Sequence, residues 1–304
     1  MIEVRRLRLL VELSRRGTIA AVAQARHMSP SGVSHQLSLL EREVGAELLQ
    51  RVGRGVRLTE AGRRLALRGS QILVALETAR TEARSPEDQP SGTCRVAAFG
   101  SAVRALLPAV LGCQDAHPRL RIELAESEPE VAVPALLSGD FDIVVSEEYP
   151  GEALPSREEI HRRILLRDPL EIVVRKSLLD GSDLPQVGGE LPWALEPGGA
   201  ASREWAVQHC RGLGFTPAVQ YESWDLELLL LLVRRGAAAS ILPRMVLPAP
   251  RSKEDLRRLD TGRSRTVVSL VRRGRELDPT VRAVRDDLHT AFEAVDPEAN
   301  RQAE

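Results

Sequence analysis

The chain has 304 residues, with 42 Lys+Arg against 43 Asp+Glu and a formal net charge of −1. That length holds about two domains of ordinary size, each able to bury a core. Hydrophobic content of 43% with 28% charged residues excludes an intrinsically disordered chain. Near-neutral charge does not exclude a polyanionic partner, because the charge is unevenly placed. Residues 1–64 hold 12 Arg and no Lys against 6 Asp+Glu, a net of +6, while the remainder carries −7. A basic head on an acidic body is the asymmetry expected of a nucleic-acid-binding domain joined to another domain.

Charges at Glu3, Arg5, Arg6 and Glu12 leave no room for a secretory h-region. No run approaches the ~18 uncharged apolar residues of a spanning helix, so the expectation is a cytoplasmic protein with no membrane partner. Cys94, Cys113 and Cys210 are odd in number and lack CxxC spacing. They describe neither a disulfide framework nor a zinc site, and no cofactor or metal is expected.

Leu7, Leu10, Val11 and Leu13 recur at helical spacing up to Gly17, which ends a first helix. Thr18 caps a second helix over 19–25, rich in small residues. Ser29 is a natural N-cap for a third, about 30–43, with Pro30 at its first position. This helix has two faces. Val33, Leu37, Leu40 and Val44 form an apolar stripe, while Ser31, Ser34, His35, Ser38 and Arg42 cover the other side. Small hydroxyls and an imidazole let a helix approach the major groove closely. On its own such a face is more often simply solvated. Following a compact helix and a short turn, it reads as the recognition helix of a helix-turn-helix. Arg51 to Leu58 then forms two arms around a Gly53-Arg54-Gly55 tip, a wing whose Arg51, Arg54 and Arg57 can meet phosphate or a narrow minor groove.

These segments carry a resemblance. Ala21-Val22-Ala23, Ser29-Pro30-Ser31-Gly32-Val33-Ser34, Leu40-Glu41-Arg42-Glu43-Val44-Gly45 and Arg57-Leu58-Thr59-Glu60-Ala61-Gly62 occur in the order and spacing of the winged helix-turn-helix of LysR-type transcriptional regulators. There are departures: the family often has Gln-Pro-Ala in place of Pro30-Ser31-Gly32, and usually Leu in place of Arg26. The resemblance implies a double-stranded DNA partner contacted through Thr18, Pro30, Ser31, Ser34, His35, Ser38, Arg51, Arg54 and Arg57. It also makes RNA polymerase a candidate partner.

Thr59 caps a long helix that the spacing extends to about Arg84. Gly62, Leu65, Gly69, Ile72, Leu76, Ala79 and Ala83 alternate by three and four, as in a heptad seam. The resemblance assigns this helix to dimerisation, through Leu65, Ile72, Leu76 and Ala79, in a homodimer that can pair into a homotetramer. Residues 85–92, polar with two prolines, read as a hinge.

From Cys94 onward strands and helices alternate in two groups, an α/β rhythm. Expected strands are 95–98, 120–126, 142–145, 165–167 with 171–174, 193–196, 218–222, 237–242 and 267–271. Helices are expected at 101–117, 129–138, 201–213, 225–235 and 281–295. Leu107-Pro108, Phe141 to Val145, Val233 to Ala237 and Leu242-Pro243 extend the resemblance to the family's effector domain, two α/β lobes arranged like a periplasmic binding protein. The expected fold is thus α/β multidomain. Residues 1–58 form the winged helix-turn-helix and 59–91 the linker helix and hinge. Residues 92–304 form the effector domain, with lobes of about 92–163 plus 268–304, and 164–267.

In such folds ligands bind between the lobes, at strand C-termini and helix N-termini. The rule selects Ser101 and Ala102, Glu147, Glu196, Gly198, Arg203, Ser223 and Trp224 for a small-molecule effector. Ser101 can donate to a carboxylate, Arg203 can add charge and Trp224 an apolar wall. Each also has an ordinary structural role open to it, as cap, salt bridge or core. Glu147 and Glu196 oppose an anion if both face the cleft, which leaves a cationic or amphoteric effector open. An enzyme or free solute-binding protein on the same body is disfavoured by the basic head and by the absence of GxSxG, GxGxxG and P-loop patterns, and no catalytic residue is expected. A thiol-redox regulator of this fold is a further alternative, with Cys210 between His209 and Arg211 as its one candidate.

Overall fold

The computed structural model describes residues 1–53, 55–83, 89–151, 159–179, 183–248 and 255–295. Three helices and a hairpin build the head. α1 (Val4–Arg16) ends at Gly17, whose φ of +78° needs no Cβ. α2 (Ile19–Ala25) is capped by the Thr18 hydroxyl, which accepts from Ala21 N–H at 3.2 Å. α3 (Pro30–Val44) is capped by Ser29, which accepts from Gly32 N–H at 3.0 Å. Leu10, Val22, Val33, Leu37 and Leu40 interlock in one core, closed by Leu48. The wing pairs β1 (Leu49–Val52) with β2 (Gly55–Leu58) in the register Leu49↔Leu58. Arg54, at its tip, lies outside the described residues.

α4 (Glu60–Glu82) follows, capped by Thr59. Its first half packs on the head. A Cβ on Gly62 would stand 2.2 Å from the Leu48 carbonyl oxygen, and one on Gly69 2.8 Å from Leu7. The two glycines of the expected seam therefore serve close approach to α1 and the wing root. Leu65 joins them against the head core, whereas Ile72 and Leu76 are 46% and 45% exposed and Ala79 is exposed. Leu67, outside the expected seam, is 64% exposed.

Lobe I is a βαβ weave: β3 (Gly92–Ala98), α5 (Gly100–Ala116), β4 (Leu120–Glu126), α6 (Pro129–Ser138) and β5 (Ile143–Glu148), with β3 parallel to both β4 and β5. Two long strands, β6 (Ile160–Arg175) and β10 (Leu256–Arg272), run antiparallel from this lobe into the next. The full sheet has the order β4-β3-β5-β10-β6-β9. Lobe II adds α7 (Leu184–Val187), β7 (Pro192–Leu195), α8 (Ala201–Gly212), β8 (Ala218–Glu222), α9 (Leu226–Arg234) and β9 (Ser240–Pro243), with β7 and β8 a parallel pair. α10 (Pro279–Val295) returns to lobe I, where Val281, Val284, Leu288 and Phe292 enter its core.

The crossing strands differ from the sequence expectation. The pieces expected at 165–167 and 171–174 form one strand that runs through Pro169. Proline gives no N–H to a ladder, and here it pairs with Ser264 beside a register shift between Asp260 and Ser264. β10 begins eleven residues before Val267; its first half is polar, at most partly buried and without an apolar run to mark it in the sequence. It pairs with β5 from Thr266 onward, slightly before the expected lobe boundary at 268.

The head also touches lobe I. Arg15 donates to the Leu137 carbonyl at 2.6 Å and Arg26 to that of Ser138 at 2.8 Å, while Arg16 pairs with Asp140 at 2.5 Å. These guanidiniums meet the C-terminal end of α6, where unpaired carbonyls and the helix dipole favour cations.

Candidate DNA interface and effector cleft

On α3 the apolar stripe anchors the helix and fixes what faces outward. Val33, Leu37 and Leu40 are at most 1% exposed. Ser31, Ser34, His35, Ser38 and Arg42 are all exposed on the opposite side, as expected. Ser29 and Ser31 hydroxyls lie 3.1 Å apart, and Pro30 is exposed at the helix start. Thr18, exposed, is occupied by its cap. Arg51 and Arg57 project from the two wing strands, both exposed. The structure thus leaves the small-donor face of α3 and the wing residues Arg51 and Arg57 exposed, as groove and phosphate contact require.

The interlobe cleft is built differently, around a guanidinium. Arg265 on β10 is 1% exposed. It donates to Asp168 on β6 at 2.9 and 3.1 Å, to Glu147 at the end of β5 at 2.5 Å and to the Ser101 hydroxyl at 3.3 Å. Its Cζ stands 5.1 Å from the Phe99 ring centroid, a cation–π contact. Burial works against its charge, but Glu147 and Asp168 more than offset this and raise the guanidinium further. Tyr149, buried, reaches Glu147 from one side, and its ring lies 6.2 Å from that of Trp205 on α8. Ala102 is fully buried behind Ser101.

From lobe II, Glu196 follows β7 and bonds with Ser202 at the start of α8. Burial, then repulsion from Glu147, pushes the Glu196 carboxyl up to about 8. Glu128, before α6, is raised to about 7 by burial and by Glu147. Arg203 donates to the Glu196 carbonyl at 3.0 Å and to the Glu222 carboxylate at 3.3 Å. Gly198 is exposed in the loop between. Ser223 accepts from Asp225 N–H at 3.0 Å, and Trp224 is 47% exposed. Ser101, Ala102, Glu147 and Glu196 are therefore gathered, Arg203 stands beside them, and Ser223 and Trp224 lie at the α9 end. Only ≈ 10 Å³ of open volume remains among Tyr149, Glu196, Ser202, Arg203 and Trp205, about enough for one water.

Arg265, Asp168 and Tyr149 were not foreseen. The sequence signal is the position of Arg265 two residues ahead of Val267–Val271, a run buried on both faces, where a charge demands a buried partner. The three cysteines are buried; burial pushes Cys113 and Cys210 up to about 12 and Cys94 higher still. Among the described residues no group of three or more His, Cys, Asp or Glu could hold a metal ion, and no helix is long and apolar enough to cross a membrane.

Known proteins share this architecture. The family description "LysR substrate binding domain" matches residues 87–293, and "Bacterial regulatory helix-turn-helix protein, lysR family" matches residues 4–63. The chain is 26% identical over 249 residues to the transcriptional dual regulator GltC of Bacillus subtilis (strain 168), covering 79% of this chain and 80% of that protein. It is 26% identical over 250 residues to the transcriptional regulator IlvY of Escherichia coli (strain K12), covering 81% and 83%. A full-length OxyR variant from Pseudomonas aeruginosa superposes with a TM-score of 0.65 at 17% identity, covering 96% of this chain and 95% of that one, which shows a common fold. Head and two-lobed body being matched in order, the chain belongs to the LysR family of DNA-binding transcriptional regulators with an effector-sensing C-terminal domain.

Proposed function

We propose that the protein reads a specific DNA site with α3 while the wing arginines hold the phosphate backbone, and that a small molecule between the lobes alters the geometry of an oligomer on that DNA. The observation that carries this reading is the divided α3. Its apolar stripe is wholly used by the head core, and its outward side presents Ser31, Ser34, His35 and Ser38 to solvent. The exposed apolar residues Ile72, Leu76 and Ala79, on one face of α4, support a homodimer. A second exposed set, Leu107 and Leu111 on α5 with Leu228 and Leu231 on α9, supports pairing of dimers.

The effector acts by preferring one arrangement of the lobes. The hollow of ≈ 10 Å³ beside Glu196 and Trp205 is too small for an effector, so a ligand seated there parts these side chains. Thiol sensing is disfavoured: Cys210 is fully buried and pushed up to about 12 by burial, far from the exposed thiolate that peroxide attacks. The test is selection and sequencing of genomic fragments bound by the purified protein. Enriched two-fold sites are expected; retention of fragments without any shared sequence defeats the reading.

A further inference from the structure

A cavity of about 210 Å³ lies where the head, α4 and lobe I meet, and it shares no residue with the interlobe cleft. Seven guanidiniums line it: three from the head (Arg8, Arg15, Arg26), Arg80 from α4, and three from the end of β10 and the turn beyond it (Arg272, Arg273, Arg275). Four carboxylates face them. Arg15 pairs with Glu159 at 3.1 Å, Arg26 with Glu12, Arg272 with Asp142 at 3.6 Å and Arg275 with Glu77 at 3.3 Å. Among the described residues no acid stands within ion-pair distance of Arg8 or Arg80, both exposed at this wall. The crowding of like charge is felt within it. Burial, with Arg8 among the repelling neighbours, holds both Arg26 and Arg272 below the ordinary guanidinium range.

A water occupies about 30 Å³, so the space holds several waters or one compact solute. Guanidinium forks match carboxylate and phosphate oxygens in pairs, and a multivalent anion can answer several at once. We propose that this cavity is a second ligand site, for a small multivalent anion of carboxylate or phosphate chemistry, bridging the head and lobe I. Bound there, the anion supplies the charge that Arg8 and Arg80 lack and ties the head and linker helix to the body. The cavity thereby becomes a second input to the position of the DNA-binding surface.

The test is isothermal titration of the full chain without DNA, with citrate and pyrophosphate as separate titrants. At least one titrant should bind saturably at one site per chain, and the one that binds identifies carboxylate or phosphate chemistry. Because Arg8 and Arg80 are exposed, the double variant Arg8→Gln/Arg80→Gln should keep its melting temperature and weaken binding at least about tenfold. Arg121→Gln, on an exposed residue of β4, and Arg211→Gln, on an exposed residue of α8, should change it less than about twofold. No saturable binding by either titrant overturns the proposal, as does equal weakening in the control variants, which marks a bulk charge effect. Either failure leaves the DNA-selection result, and the reading that rests on it, unaffected.

Discussion

The two candidate surfaces of this protein are prepared in opposite ways. On the DNA side the residues of interest are exposed and held in place from behind: Ser34, His35 and Ser38 sit on a helix whose other face is locked into the head core. In the cleft the residues of interest are buried and hold one another, with Arg265 spanning Asp168, Glu147 and Ser101. A preformed exposed face can be altered without disturbing the fold. A cleft whose polar groups satisfy each other cannot, and any effector must exchange its own contacts for theirs. Substitutions on the candidate DNA face should therefore be separable from stability, whereas those in the cleft are bound up with it.

The largest effect expected from this contrast comes from Arg265→Ala. It removes the guanidinium that Glu147 and Asp168 share in burial, a loss of about 3–5 kcal/mol of stability. Arg265→Met combined with Glu147→Gln and Asp168→Asn should recover most of it, since no unpaired charge remains. Chemical denaturation measures both, and equal stability of Arg265→Ala and wild type would break the comparison. Next in size, Ser34→Ala and His35→Ala should each shift preference between operator and altered operator by about 1–3 kcal/mol at one base position. Their unfolding midpoints should not move. Equal loss on specific and random DNA would remove these residues from base readout.

Legibility divided along the same line. The head was readable because its signals are local: Ser29-Pro30 at a helix start, Gly17 at a helix end, an apolar stripe of one period, two glycines at a hairpin. The alternation of the body was readable for the same reason. What remained hidden was pairing between distant segments. Arg265 and Asp168 lie 97 positions apart, and β6 with β10 form single long strands only because each supplies the other's ladder through stretches without apolar periodicity. The division of α4 was hidden too. Gly62 and Gly69 fit a coiled-coil seam by spacing, and only the approach of Leu48 and Leu7 shows that they face the head.

A smaller effect sharpens the DNA side. Arg57→Ala removes one exposed cation from the wing. If it neutralises one phosphate, the slope of log affinity against log salt should fall by about 0.9, on specific and random DNA alike. The melting temperature should hold, as for other exposed sites. Fluorescence anisotropy across a salt series measures this, and an unchanged slope would take Arg57 out of the phosphate contacts. Arg54→Ala, at the wing tip, tests the neighbouring position in the same way.

The last effect shows only as pH rises and concerns the cleft as a place where charge is costly. Glu196 is held at about 8 in the folded chain, chiefly by burial, against an ordinary 4.5. The folded state then binds this proton more tightly than the unfolded state. Its contribution is favourable at low pH and is lost as pH rises from the ordinary value through the folded one. Glu196→Gln keeps the shape and the hydrogen bonding while removing the titration. The variant should melt several degrees above wild type at about pH 8 and converge with it at about pH 4. Its curve of melting temperature against pH should be correspondingly flatter. If Glu196→Gln ran parallel to wild type across the range, Glu196 would already be open to water between the lobes, and burial would not be what makes its charge costly.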